Sequence, residues 1–335
     1  MDDEIPGFGQ LFGFTEKTLV MMDVKKIAQL TGHIGAIFAI TEGGDEQHIL
    51  SGAGDGWVVE WDLAKPDFGR LVAKVERNIF SLLFIPRQNK IIAGDMDGGV
   101  RFVDLAEPTL IRNVAHHGGK GCFDVKVIDN QLLTIGGEGI LTRWSLVENR
   151  SLESIQLSHK SLRCFDFSKE KNELAIGSSD GSVYFVDATS LALKDIWHKA
   201  HSNSIFSIRY VPNNDFLLTG GRDAHLTLWD LNAPIENETS KALESLPAHL
   251  FTINSIVFHP KNPNIFATAS RDRTIKIWEL DVQNARLTLL KVIDTIRHGC
   301  HVRSVNRLFW SNYNDYLISA SDDRTLIVWE IDFLF

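Results

Sequence analysis

His201, Thr219, Asp223 and Trp229 are the residues whose types and spacing suggest chemistry first in this 335-residue chain. A histidine, a hydroxyl and a carboxylate in one short stretch are the parts of a general base, a nucleophile and an orienting acid. The stretch that holds them, His201 to Asp230, alternates apolar and polar residues from Ser204 to Val211 and turns at Pro212-Asn213-Asn214. It returns from Asp215 into Gly220-Gly221-Arg222-Asp223 and closes with Leu226 to Trp229. Three short antiparallel strands are predicted to position the four side chains.

A catalytic set occurs once, whereas this one recurs. The aspartate returns as Asp55, Asp97, Glu138, Asp180, Asp223, Asp272 and Asp323, at intervals of 42, 41, 42, 43, 49 and 51 residues. Six places beyond stand Trp61, Val103, Trp144, Val186, Trp229, Trp278 and Trp329. A period of 40–50 residues with four strands per unit is that of a propeller blade. A Ser-His-Asp order has no diagnostic value where His and Asp recur for structural reasons.

From residue 24 to 335 the chain resembles the WD40 repeat family, on Thr31-Gly32-His33, Trp61-Asp62, Trp229-Asp230, Trp278-Glu279 and Trp329-Glu330. The resemblance implies an all-β fold: a seven-bladed β-propeller of four-stranded antiparallel blades, closed by the N-terminal strand. It also implies a hydrogen-bonded relay within each blade. The complete sets are His33, Ser51, Asp55 and Trp61; His201, Thr219, Asp223 and Trp229; His249, Thr268, Asp272 and Trp278; and His301, Ser319, Asp323 and Trp329. A buried carboxylate and a buried indole N–H both need partners, so these residues are structural by default. Blade 2 departs, with Val75 or Glu76 at the histidine place and Ala93 and Val103 beyond it. Blade 3 has His116 or His117 with Glu138, and blade 4 keeps His159 and Asp180 but has Ile176 and Val186.

Lys25 to Leu30 is expected to pair beside Thr325 to Trp329 and close the ring, because the last repeat ends on its third strand near Ile331. Residues 1–22 form a loosely packed extension and residues 23–335 the propeller. Met21-Met22 offers a second starting position, which N-terminal peptide mapping of the native protein tests.

The register also predicts a binding site. Phe38, Phe80, Phe123, Phe165 and Phe206 align on the first strand of blades 1 to 5, and Asn254 and Asn306 take the place in blades 6 and 7. In the family this position, the one two before it and the residue preceding the turn aspartate face the mouth of the central channel. The two-before set is Ala36, Asn78, Gly121, Arg163, Ser204, Thr252 and Ser304. The pre-aspartate set is Gly54, Met96, Gly137, Ser179, Arg222, Arg271 and Asp322. Five phenyl rings converging beside Arg163, Arg222 and Arg271 make a partner-binding surface, since Phe and Arg are enriched at interfaces. The competing reading is that the rings pack on one another and plug the channel.

Composition narrows the classes. A net charge of -9 opposes a general nucleic-acid or anionic-membrane binder. Cys122, Cys164 and Cys300 are too few and scattered for a disulfide framework or a paired-cysteine metal site, so reduced thiols in a cytoplasmic protein are expected. No HExxH or paired His spacing calls for a metal, and no cofactor is implied. The Gly-rich pieces at 51–56, 94–99 and 136–139 lead into strands rather than helices, so they are turns and not phosphate loops. The expected function is a non-enzymatic scaffold that binds a protein or peptide, as a monomeric propeller within a larger complex. The alternatives are a hydrolase at the channel mouth and a subunit of a nucleic-acid-processing assembly. The pattern of ubiquitin-ligase receptors in the family, an Arg two places past the repeat's acidic residue, is absent: Ala64, Asn232, Asp281 and Asp332 stand there.

Overall fold

The computed structural model describes residues 21–109, 111–233 and 242–334. The expected extension over residues 1–22 therefore lies almost entirely outside the described residues. Seven four-stranded antiparallel sheets make up the chain, the first strand of each lying innermost in its sheet order. These innermost strands are Ile37–Glu42, Ile79–Ile85, Cys122–Ile128, Leu162–Ser168, Ile205–Tyr210, Ile253–Phe258 and Val305–Trp310. Each touches the next, and the seventh touches the first, so they form a closed ring.

The alternation read from the sequence is a burial alternation. In blade 5, Leu217, Leu218, Leu226 and Leu228 are buried, and they pack with neighbours from blade 6 and blade 4. Each apolar cluster spans two adjacent blades, so a blade by itself has no complete core. This is the stability rule of repeat architectures.

Closure is by the N-terminal strand, over a longer stretch than the sequence suggests. Met21–Leu30 pairs antiparallel with Leu326–Leu334, from Met21 opposite Leu334 to Leu30 opposite Leu326. Asp23, which falls outside the expected pairing, faces Asp332. Of the two long connections, the first ends in the strand Ala242–Pro247. The second holds the strand Arg286–Ile293 and one helical turn, Thr295–His298.

Turn chemistry fixes how tightly blades follow one another. The residue after the turn aspartate or glutamate is left-handed in all seven blades, and it is glycine in the first four: Gly56 has φ 75° and Gly139 has φ 80°. A Cβ on Gly56 would lie 2.2 Å from the Val75 carbonyl oxygen, and one on Gly139 would lie 1.9 Å from that of Ser158. Only glycine fits those places.

Candidate functional site

Four relays are complete. His33 Nδ1 lies 2.9 Å from Asp55 and its Nε2 lies 2.8 Å from Ser51 Oγ, which accepts from the Trp61 indole at 2.8 Å. His201, Thr219, Asp223 and Trp229 repeat this at 3.0, 2.7 and 2.8 Å. His249, Thr268, Asp272 and Trp278 do so at 2.9, 2.8 and 2.9 Å. His301, Ser319, Asp323 and Trp329 do so at 2.9, 2.8 and 2.9 Å. One proton arrangement satisfies every member: Nδ1–H donates to the carboxylate, the hydroxyl donates to Nε2, and its oxygen accepts from the indole. Burial works against the Asp223 carboxylate, but the hydrogen bond and charge of His201 and the N–H groups of His225 and Ser202 outweigh it and hold its pKa at about 2. Each histidine is buried, so these groups are braces and not reactants.

The departures have their own chemistry. Val75 takes the histidine place in blade 2, where its N–H bonds the Gly56 carbonyl oxygen. The buried polar pair of that blade is instead Asp95 with Arg101, at 2.8 Å, two places upstream of Asp97 and Val103. In blade 3 the histidine is His117, 3.0 Å from Thr134 Oγ1, which also accepts from Trp144 at 2.9 Å. His116 binds Thr142 Oγ1 at 2.6 Å. Burial, with His116 beside it, lowers the pKa of His117 to about 3.

Blade 4 corrects the sequence reading. His159 is exposed, and Ser158 occupies the histidine place, its hydroxyl donating to Asp180 at 2.7 Å while the Tyr184 hydroxyl donates to the same oxygen at 2.9 Å. The aligned first-strand residue of blade 4 is therefore Arg163, and Ser161 takes Arg163's place in the two-before set. Phe165 is fully buried opposite Ile176, at the core position that Ile40 holds opposite Ser51 in blade 1. It is not part of a ring at the channel mouth.

The aligned positions are all β-bulges. The register slips between Ile37 and Ala39, Ile79 and Ser81, Cys122 and Asp124, and Leu162 and Cys164. It slips likewise between Ile205 and Ser207, Ile253 and Ser255, and Val305 and Arg307. The skipped residues are Phe38, Phe80, Phe123, Arg163, Phe206, Asn254 and Asn306. A bulge releases its side chain from the alternation of the strand and re-aims it. Five of the seven join in one stack: Phe38 meets Phe80 edge-on at 5.2 Å, and Phe80 lies over Phe123 at 5.6 Å. The Arg163 guanidinium lies 4.2 Å from the Phe123 centroid and 5.4 Å from that of Phe206. All five are half-buried.

Asn254 and Asn306 are committed elsewhere. The Asn254 amide donates to Ser304 Oγ and the Val305 carbonyl, and that of Asn306 to the Ile37 carbonyl and Asp322. They tie blade 6 to 7 and blade 7 to 1 where the other blades use stacked rings. Arg222 and Arg271 stand exposed, each with its N–H bonded to the two-before carbonyl, Ser204 and Thr252. Among the described residues, no group of three His, Cys, Asp or Glu is placed to hold a metal ion. No helix there is long and apolar enough to cross a membrane.

Seven four-stranded blades, four of them tied by the His, hydroxyl, Asp and Trp relay, define a β-propeller of the Trp-Asp repeat type. The family model described as "WD domain, G-beta repeat" matches residues 24–62, 194–230, 240–279 and 290–330, and the chain belongs to the WD40 repeat family. The matches fall on the blades with complete relays, and the gap over blades 2 to 4 is where the frame departs. Actin-interacting protein 1 of Caenorhabditis elegans is 19% identical over 90% of this chain and 48% of its own length. Protein tipD of Dictyostelium discoideum is 24% identical over 95% of this chain and 50% of its own. The chain thus spans about half the length of these relatives. The WD40 β-propeller domain of Doa1 superposes with a TM-score of 0.77 at 16% identity, covering 92% of this chain and 97% of that one, a likeness of fold.

Proposed function

We propose that this chain is a non-enzymatic interaction scaffold that holds a peptide or a partner domain on the loop surface around its central channel. The observation that carries the reading is the half-buried stack of Phe38, Phe80, Phe123, Arg163 and Phe206, all delivered by bulges. Bulges cost regular pairing, and five in succession aim aromatic or cationic groups to one place. An aromatic side chain can extend such a stack, and a carboxylate can pair with Arg163, Arg222 or Arg271. The relays supply a rigid frame, so little order has to be gained on binding. The printed name of one relative describes an actin-interacting protein, and an interaction role is carried to this chain as part of the proposal.

The test replaces Phe80 and Phe123 together by Ser in the full chain and compares partners recovered from the native cell by quantitative affinity purification. Partners lost from a variant that still unfolds cooperatively support the site. An unchanged partner set in that folded variant leaves the rings as a plug and ends the proposal.

A further inference from the structure

We infer that the loops of blades 6, 7 and 1, with the adjoining turn of blade 5, form a second contact zone that takes an acidic peptide segment bearing bulky apolar side chains. The inference rests on the scaffold reading above and extends it outward from Arg222 and Arg271 to loop residues that the sequence did not single out.

The apolar part is unusual in how it is held. Ile34, Leu250 and Val302 directly follow the relay histidines of blades 1, 6 and 7, and they are 65%, 83% and 60% exposed. Phe251 beside Leu250 is 57% exposed. Their exposure is enforced by the backbone: the N–H of Ile34 donates to Asp55 at 2.9 Å, that of Leu250 to Asp272 at 3.0 Å and that of Val302 to Asp323 at 3.2 Å. The relay therefore fixes the stem of each side chain and leaves the rest in water. Blade 5 makes the same bond through Ser202, so the geometry does not demand an apolar residue. Exposed apolar side chains on three consecutive blades make a patch of the kind that marks an interaction site.

The cationic part is set in the same turns. Arg222, Arg271, Arg273, Arg303 and Arg324 are exposed and form no ion pair among the described residues. The carboxylates of these turns are already used, Asp223, Asp272 and Asp323 in the relays and Asp322 on Asn306. On a chain of net charge -9, five free guanidinium groups in one arc are a local inversion of sign. Two of them also carry a backbone cost. Arg273 and Arg324 have φ 73° and 72°, at the turn place that Gly56, Gly98, Gly139 and Gly181 fill in blades 1 to 4. Left-handed backbone is unfavourable for a residue with a Cβ, and such strain concentrates where function requires the side chain.

Charge complementarity selects an acidic occupant, and the aliphatic side chains select a peptide. Ile34, Leu250 and Val302 offer no ring on which a base could stack, so a single-stranded nucleic acid would find only Phe251. Blades 6 and 7 are also the blades whose bulges carry Asn254 and Asn306 in place of an aromatic group, so contact there shifts outward along the loops.

The test pans a phage-displayed library of random dodecapeptides against the full chain and measures selected peptides by fluorescence anisotropy. Peptides rich in Asp and Glu with Leu, Ile or Phe are expected, with affinity falling as salt rises. R271E with R303E, and separately L250S with F251S, should each weaken binding roughly tenfold or more. R273G with R324G should raise the unfolding midpoint and weaken binding, a combination that a purely structural role does not give. If these variants bind unchanged while F80S with F123S abolishes binding, the arc is refuted and the channel-mouth reading stands; if neither set matters, both fall. Selection of basic peptides or of none, or displacement of the peptides by poly-dT at equal affinity, overturns the assigned ligand.

Discussion

Glu138 stands where a relay aspartate stands in four other blades, yet Nδ1 of His117, the atom it should accept from, is buried without a partner. The extra methylene carries the carboxylate over the loop, where a Cβ on Gly118 would collide with it. Blade 3 is thus a relay with one link open, at the cost of an unsatisfied polar atom.

Glu138→Asp should close that link. The shorter side chain brings the acceptor back to the place that Asp55 and Asp223 occupy, and the variant should gain about 1 kcal/mol in urea unfolding. The pKa of His117 should rise from about 3, because a carboxylate would then face its Nδ1–H. NMR titration of the imidazole checks the second point. An unchanged midpoint together with an unmoved pKa contradicts the account.

Acid should open the blades in a stated order. His117 has a folded pKa below its ordinary 6.5, so its contribution is full above pH 6.5 and is lost as the pH falls towards about 3. Asp223 and Asp323 are also depressed, to about 2, by the hydrogen bonds and charges of His201 and His301 working against burial. Their contribution is full above about pH 4 and is lost only as the pH falls from there to 2. Blade 3 should therefore lose hydrogen-exchange protection between pH 6 and 4, while blades 5 and 7 keep theirs. Protection vanishing first from blades 5 and 7 would show the order to be wrong.

The frame was legible wherever a residue type repeats. Trp61, Trp229, Trp278 and Trp329 each need the same hydroxyl and histidine, so the family pattern carries over to their partners. It fails in blade 4 because His159 is the right type one place late. A serine hydroxyl does the job of the imidazole there, with Tyr184 as a second donor, and nothing in the sequence marks the exchange. The expected ring was also two places late in this blade, taking Phe165 for Arg163, because a phenylalanine matched the type found in the other blades while the bulge falls on Arg163. The Asp95–Arg101 pair was missed for another reason: its members lie beside the frame positions, and alignment to the frame passes over them. Asn254 and Asn306 fall at the bulges of blades 6 and 7, but a sequence does not say which way a side chain donates.

The corrected register separates two phenylalanines. Phe165→Ala removes a fully buried ring from the core and should cost about 3–5 kcal/mol. Phe206→Ala removes a half-buried ring whose partner is the Arg163 guanidinium, and should cost about 1 kcal/mol. Urea unfolding of both variants decides. Equal losses would return Phe165 to the channel mouth.

Closure can be tested at the seam. Without Met21–Leu30 the strand Leu326–Leu334 becomes an open edge, and Trp329 and Ile327 lose part of their cover. The ion pairs of Lys25 with Glu330 and Asp332 are exposed and add little, so Lys25→Ala should be nearly neutral. A chain starting after Leu30 should aggregate in size-exclusion chromatography. A stable monomer of that length would show that the seam does not hold the ring.

The relay hydroxyl is the node on which the other members depend. Thr219→Val keeps the shape but leaves the Trp229 indole N–H and His201 Nε2 buried without partners, a loss of about 3 kcal/mol. Blades 2 and 4 show how the chain itself avoids that cost: Ala93 faces the core with Val103, and Ile176 with Val186, so hydroxyl and indole are absent together. Trp229→Phe removes the orphaned donor, and adding it to Thr219→Val should destabilise by clearly less than the sum of the two single changes. The double-mutant cycle in urea measures that coupling. Additive losses would mean that the Thr219–Trp229 hydrogen bond adds nothing, and that blades 2 and 4 are apolar for some other reason.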